Sequence, residues 1–134
     1  MTVGGRPLDL LVVEDEEMNR ILLRAVVARS ADPRIRDASL TEATTLAAAR
    51  ARIHDPGWPI DVALLDVQLS DGSGLDLIKE LAGRVPRPKI VVLTAGVLAP
   101  QRVEAQEAGC DAFLGKPYMP QELLDTLSTL IAAG

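Results

Sequence analysis

Five short apolar runs punctuate the chain: Leu8–Val13, Arg34–Leu40, Ile60–Asp66, Lys89–Thr94 and Asp111–Gly115. The first, third and fourth are apolar without clean alternation, the look of strands covered on both faces. The second and fifth are weaker and are expected nearer an edge. Helical periods lie between them. Glu17–Arg29 sets Met18, Ile21, Leu22, Ala25 and Val26 on one stripe. Thr41 is the expected N-cap of a helix carrying Ala43, Leu46, Ala47 and Ile53. Gly74–Leu81 groups Leu75, Ile78 and Leu81. Pro120 suits a first helical position, and Leu123, Leu124, Leu127, Leu130 and Ile131 follow in register. Ala99–Ala108 has a thin apolar face, with Val103 its only large apolar residue, so it is expected to dock least firmly.

Turn signals agree with these boundaries. Asp32-Pro33, Asp55-Pro56-Gly57, Pro86-Arg87-Pro88 and Gly109 separate the segments. The strict alternation of strand and helix predicts an α/β fold: one five-stranded parallel sheet, doubly wound by five helices. A length of 134 residues suits a single domain, 1–134. Right-handed crossovers then bring every strand's C-terminal end to one edge, where ligand chemistry collects in such sheets.

Composition narrows the classes. Aromatic residues are only 2%, so the core must be built from Leu, Val, Ile and Ala. A net charge of −5 argues against nucleic acid as a partner, since that needs clustered Lys and Arg. The longest apolar runs fall far short of the ~20 residues of a membrane span, so neither a membrane partner nor a membrane location is expected. One cysteine, Cys110, and one histidine, His54, exclude a four-ligand zinc site and an intrachain disulfide. A reducing, cytoplasmic setting follows as the expectation. Cys110 reads as a small buried hydrophobe, His54 as a solvated turn residue, and Trp58 as a lid on local apolar surface.

The expected edge is unusual in what it gathers. Glu14 and Asp15 follow the first strand, Asp66 ends the third, Thr94 ends the fourth, and Lys116 follows the fifth. A lone strand-end acid is most often a helix cap; here it is the convergence that matters. Two carboxylates ~5 Å apart repel by about 3 kcal/mol at an effective dielectric near 20. Lys116 can offset part of that repulsion. A hard divalent cation on oxygen ligands would offset the rest, and with no His or Cys nearby Mg²⁺ is the expected ion. Asp66 could then act as a nucleophile toward phosphorus, with Thr94 and Lys116 neutralising the phosphoryl oxygens.

The motifs "LLVVEDEEMNR", "VALLDVQLSDGSGLDL", "VVLTA" and "AGCDAFLGKP", taken in order, resemble the receiver domain of two-component response regulators over nearly the whole chain. That resemblance implies a flavodoxin-like strand order of 2-1-3-4-5. It implies Asp66 as phosphoacceptor, fed by the histidine of a sensor kinase or of a phosphotransfer protein. Glu14 and Asp15 would be the Mg²⁺-holding pair, Asp15 the more direct ligand, with the Gln68 main-chain carbonyl completing the protein ligands. Thr94 and Phe113 would be the switch residues, and the Lys116–Pro117 bond would be cis. The resemblance further implies a phosphoprotein that supports its own phosphorylation and autodephosphorylation rather than a turnover enzyme. A downstream protein, or a second copy, would meet the fourth helix, fifth strand and fifth helix.

The chain departs from the family at three places. Ser70 stands where proline is usual, which predicts a looser turn over Asp71-Gly72-Ser73-Gly74. Phe113 stands where many members have tyrosine, so its outward state has no hydroxyl to hydrogen-bond. The interval from Asp15 to Asp66 is long, and the extra residues are assigned to the second helix and "HDPGWP". Gln68 and Gly96 are expected to flank the site. A haloacid-dehalogenase-like phosphohydrolase would need a second Asp where Gln68 stands. A dinucleotide fingerprint fails at "GSGLDL", which puts Leu77 at the third glycine position. A receiver fold used only as a phosphorylation-independent interaction module stays open. The chain ends soon after the last helix, so no DNA-binding domain is expected, and "EDEEMNR" resembles receivers attached to hybrid histidine kinases.

Overall fold

The computed structural model describes residues 6–94 and 99–133. In chain order its elements are β1 (Asp9–Val13), α1 (Glu17–Ala28), α2 (Pro33–Arg36), β2 (Ser39–Ala43), α3 (Leu46–Ile53) and β3 (Val62–Asp66). Next come the short strands β4 (Gln68–Leu69) and β5 (Gly72–Ser73), a 3₁₀ turn Gly74–Leu77, and α4 (Ile78–Ala82). β6 (Lys89–Thr94), α5 (Ala99–Ala108), β7 (Ala112–Gly115) and α6 (Pro120–Ala133) complete the fold. Five strands form one parallel sheet in the order β2-β1-β3-β6-β7. Counting main strands along the chain, that is the expected 2-1-3-4-5 order.

The pleat explains the core. Successive strand residues point to opposite faces. Leu10 and Val12 of β1, Val62 and Leu64 of β3, and Val91 and Leu93 of β6 share one face with Leu23 and Val27 of α1, Ile35 of α2, and Leu123 and Leu127 of α6. Leu11 and Val13, Ala63 and Leu65, and Ile90 and Val92 take the other face, with Leu46, Ala49 and Ile53 of α3, Leu77, Ile78 and Leu81, and Ala105 of α5. The central strand β3 is buried throughout. That is why it reads as an unbroken apolar run.

The structure corrects several expectations. There are six α-helices among the described residues, not five, because Asp32-Pro33 starts a one-turn helix. Asp32 caps it, its carboxylate accepting from the Arg34 N–H at 2.9 Å. The second strand is therefore displaced from the expected Arg34–Leu40 to Ser39–Ala43. Thr41 and Ala43 belong to that strand, and Thr45 is the N-cap of α3, accepting from Ala48 N–H at 3.0 Å. Edge strand β2 is mostly half-exposed, so it carries no apolar run to mark it. In α1 the buried pair is Leu23 and Val27, while Met18, Ile21 and Leu22 face outward, 63%, 41% and 54% exposed. Cys110 is half-buried and only packs against the core.

The long crossing from α3 to β3 has its own clamp. Arg84 donates through Nη1 to the Ile53 carbonyl at 2.7 Å and through Nη2 to the Trp58 carbonyl. Arg52 stacks 4.0 Å from the centre of a Trp58 ring, and the Trp58 indole donates to Thr41 Oγ1 at 3.2 Å. Trp58 thus packs against the core as the expected lid. His54 is exposed but paired, its Nε2 lying 2.6 Å from Glu80 Oε1. Arg50 joins the same carboxylate at 3.0 Å. Burial would raise the Glu80 pKa, but its bonds to Arg50 and His54 outweigh that and hold it below the usual range.

Candidate functional site

The same pleat aims the site. Val12, Leu64 and Leu114 lie on one face of the sheet, and Glu14, Asp66 and Lys116 continue their alternation at the strands' C-terminal ends. The three side chains meet. Lys116 Nζ donates to Glu14 Oε1 at 2.5 Å and to Asp66 Oδ2 at 3.3 Å. Thr94 ends β6 beside them, and its carbonyl accepts from the Lys116 N–H at 2.6 Å. Glu14 is 0% exposed, Asp66 6% and Thr94 2%. Carboxylate oxygens of Glu14, Asp15 and Asp66 lie within 4.8 Å of one another.

Charge decides what this arrangement can hold. A fully buried carboxylate needs a partner, and Glu14 has Lys116. Burial alone would lower the Lys116 pKa; the hydrogen bond to Glu14 and the charges of Asp66 and Glu14 outweigh it, so the net direction is upward and the ammonium stays charged. Three carboxylates against one ammonium leave two negative charges uncompensated. The donors are all hard oxygens, which fits a divalent cation of the Mg²⁺ type. A cleft of about 260 Å³ opens over the cluster, lined by Asp15, Asp66, Gln68, Ser70 and Lys116 among others.

The backbone around Asp66 is closely fitted. Gln68 N–H donates to Asp66 Oδ1 at 3.2 Å, and Gly74 N–H to the Val67 carbonyl at 2.9 Å. A Cβ at position 74 would stand 1.9 Å from the Asp66 carbonyl oxygen, so only glycine lets the 3₁₀ turn back onto the strand end. The Lys116–Pro117 peptide is cis.

A family model described as the response regulator receiver domain matches residues 10–128. The chain belongs to that family. Over 113 residues this receiver is 41% identical to the aerobic respiration control sensor protein ArcB of Escherichia coli (strain K12), which covers 82% of the present chain but spans 13% of ArcB. A CheY-like receiver domain protein from Methanospirillum hungatei JF-1 superposes with a TM-score of 0.81 at 21% identity, covering 95% of each chain, a likeness of fold. The receiver domain of sensor histidine kinase PA1611 from Pseudomonas aeruginosa PAO1 superposes with a TM-score of 0.74 at 25% identity, covering 94% of this chain and 98% of that one. That structure has a magnesium ion coordinated in its active site cleft.

Of the residues singled out in the sequence, the receiver brings Glu14, Asp15, Asp66 and Lys116 together, with Gln68 on the cleft wall. Phe113 is half-buried in β7 opposite Val92, packed against the core on the α5 side of the sheet. Gly96 lies outside the described residues. Two site residues escaped sequence reasoning. Arg20 donates to the Glu14 carbonyl at 3.1 Å and pairs with Glu42 at 3.2 Å, tying the acidic loop to α1 and β2. A cation near a helix N-terminus opposes the helix dipole, and that misplacement was its available signal. Asp71 reaches away from the cleft to the first turn of α3, a contact across 25 residues with no local signature.

Proposed function

We propose that this receiver accepts a phosphoryl group on Asp66 from the phosphohistidine of a sensor kinase or phosphotransfer protein. The observation that carries the reading is the Lys116 bridge between buried Glu14 and Asp66, with Asp15 in the same cluster. A carboxylate oxygen of Asp66 attacks phosphorus, the phosphorus–nitrogen bond breaks, and the imidazole leaves with the bonding pair. Asp15, Asp66, Glu14 and the Gln68 main-chain carbonyl would hold Mg²⁺, which when bound supplies positive charge to the phosphoryl oxygens. Lys116 turns part of its charge from Asp66 to a phosphoryl oxygen, and the Thr94 hydroxyl supports another. Rigid strand ends keep these groups oriented, so little reorganisation is needed. Water later hydrolyses the acyl phosphate, a single self-limiting cycle rather than turnover on an external substrate.

The donor has a surface to meet. The outward stripe of Met18, Ile21 and Leu22 borders a groove lined by Leu22, Val26, Pro117, Tyr118 and Pro120, which shares Asn19 and Lys116 with the cleft. Output runs through α5, β7 and α6. Among its described side chains α5 buries only Ala105 fully, and Val103 is 49% exposed, which suits a surface with two near-equal packings. Thr94 and Phe113, on neighbouring strands, would carry the change there. The 41% identity to the sensor protein ArcB and the likeness to the receiver domain of sensor histidine kinase PA1611 support attachment to, or partnership with, a hybrid sensor kinase, with this receiver in the cytoplasm.

Radiolabelled acetyl phosphate with Mg²⁺ tests the reading. Wild type should incorporate label, chelator should prevent it, and Asp66→Ala should abolish it. No label on wild type, or full label on Asp66→Ala, would favour the phosphorylation-independent interaction module instead.

A further inference from the structure

The loop that follows Asp66 is held at both roots but not, by its own chemistry, at its tip. At the first root, Gln68 N–H is bonded to Asp66 Oδ1. At the second, Gly74 is backed against the Asp66 carbonyl and bonded to Val67. Between them Gln68–Leu69 and Gly72–Ser73 form a two-rung hairpin, Gln68 opposite Ser73 and Leu69 opposite Gly72. A two-strand ribbon this short is not stable alone. Its tip is Ser70-Asp71, with no proline to fix the backbone.

The hold comes from another element. Asp71 Oδ1 accepts from the Leu46 N–H at 2.8 Å and Oδ2 from the Ala47 N–H at 3.3 Å. Thr45, the helix's own cap, accepts from Ala48. Asp71 is thus a second cap on α3, delivered from a segment 25 residues away. The helix beneath is a firm mount, since Leu46, Ala49 and Ile53 are buried in the core. Packing adds to the polar tie: a Cβ on Gly72, whose φ is +149°, would lie 2.6 Å from Leu46 Cδ1. The bonds from Leu46 and Ala47 also hold the Asp71 carboxyl below its ordinary range.

We propose that Asp71 is a positioning residue for the metal-binding half of the site, fixing the loop tip to α3 so that Gln68 stays in register beside Asp66. The inference rests on the phosphoacceptor reading above and extends it to a residue outside the cleft. A carboxylate in this place does for the loop what proline would do at position 70, by an external tie instead of an internal restraint.

Calorimetric titration with Mg²⁺ alone tests it, on wild type, Asp71→Ala, Asp71→Asn and the double variant Ser70→Pro/Asp71→Ala, with melting temperatures taken in chelator. Loss of an outer support should weaken Mg²⁺ binding about tenfold in Asp71→Ala. Asp71→Asn keeps one acceptor oxygen and should fall between. Stiffening the tip in Ser70→Pro/Asp71→Ala should recover most of the affinity. Should Asp71→Ala not fold, Asp71→Asn is read in its place, and its weaker binding supports the proposal. Wild-type affinity in the variant, even at a lower melting temperature, overturns the proposal by reducing Asp71 to a helix cap. A loss that proline leaves untouched overturns it too. Failure of wild type itself to bind Mg²⁺ overturns the phosphoacceptor reading, and this proposal with it.

Discussion

The two faces of the sheet are built to different standards. One is covered by the long helices α1 and α6, which place Leu23, Val27, Leu123 and Leu127 fully inside. Glu122 supports α6 further by accepting from the Met119 N–H at 2.9 Å, half of a capping box. The other face is covered by the eight-residue α3, the 3₁₀ turn with the five-residue α4, and α5, from which only Ala105 is fully buried among described side chains. That face's buried Leu46, Ile53, Leu77, Ile78 and Leu81 are supplemented by glycine-sized fits and polar ties: Gly74 against Asp66, Gly72 against Leu46, Asp71 on α3. The first face is a frame. On the second, α5 is the part free to rearrange, because among its described side chains it commits only Ala105 fully to the core.

Leu127→Ala probes the frame and should be the costliest change, about 3 kcal/mol in urea unfolding. A loss under about 1 kcal/mol would mean that α6 is no better anchored than α5. Gly74→Ala strikes the closest fit on the other face. Because the new Cβ meets backbone, it should cost about 2 kcal/mol and lower the phosphorylation rate of Asp66. Unchanged kinetics would show the strand end to be insensitive to the turn behind it.

Both faces were legible in unequal measure. β1, β3 and β6 announced themselves because strands buried on both sides need apolar residues at every position. β2 did not, because an edge strand with a half-exposed SLTEA sequence satisfies no period. The stripe on α1 was misread for the opposite reason. Apolar residues lie around most of that helix, and periodicity cannot say which stripe faces in. Glu14, Asp66 and Lys116 were recoverable because strand ends in a parallel sheet share an edge. Asp71 was not, because its contact with α3 joins segments 25 residues apart, and Arg20, six residues from the carbonyl it meets, left only its mismatch with the helix dipole as a mark.

A pH experiment sharpens the contrast further. The Asp71 carboxyl is held low in the folded state, so its contribution is present above the unfolded carboxylate pKa, about 3.9. It is lost as pH falls through the lower folded value. Asp71→Asn should therefore flatten the acid limb of the stability curve below about pH 4 and leave neutral pH little affected by titration. An acid limb as steep as wild type would place the titrating group elsewhere. The smallest effect belongs to α5. Val103→Ala removes an exposed side chain and should change stability by less than about 0.5 kcal/mol. A larger loss would show α5 to be seated more deeply than its described side chains indicate.

Arg84 carries a consequence of a different kind. One guanidinium gathers carbonyls from Ile53, Asp55 and Trp58, so the long crossing before β3 is fastened where that strand begins. Asp66, the proposed phosphoacceptor, stands where the same strand finishes. A fluorophore, an affinity tag or a permuted pair of termini inserted at Asp55–Gly57 would sit a full strand's length from the chemistry. The bend therefore offers a place for reporters that watch signalling without entering it.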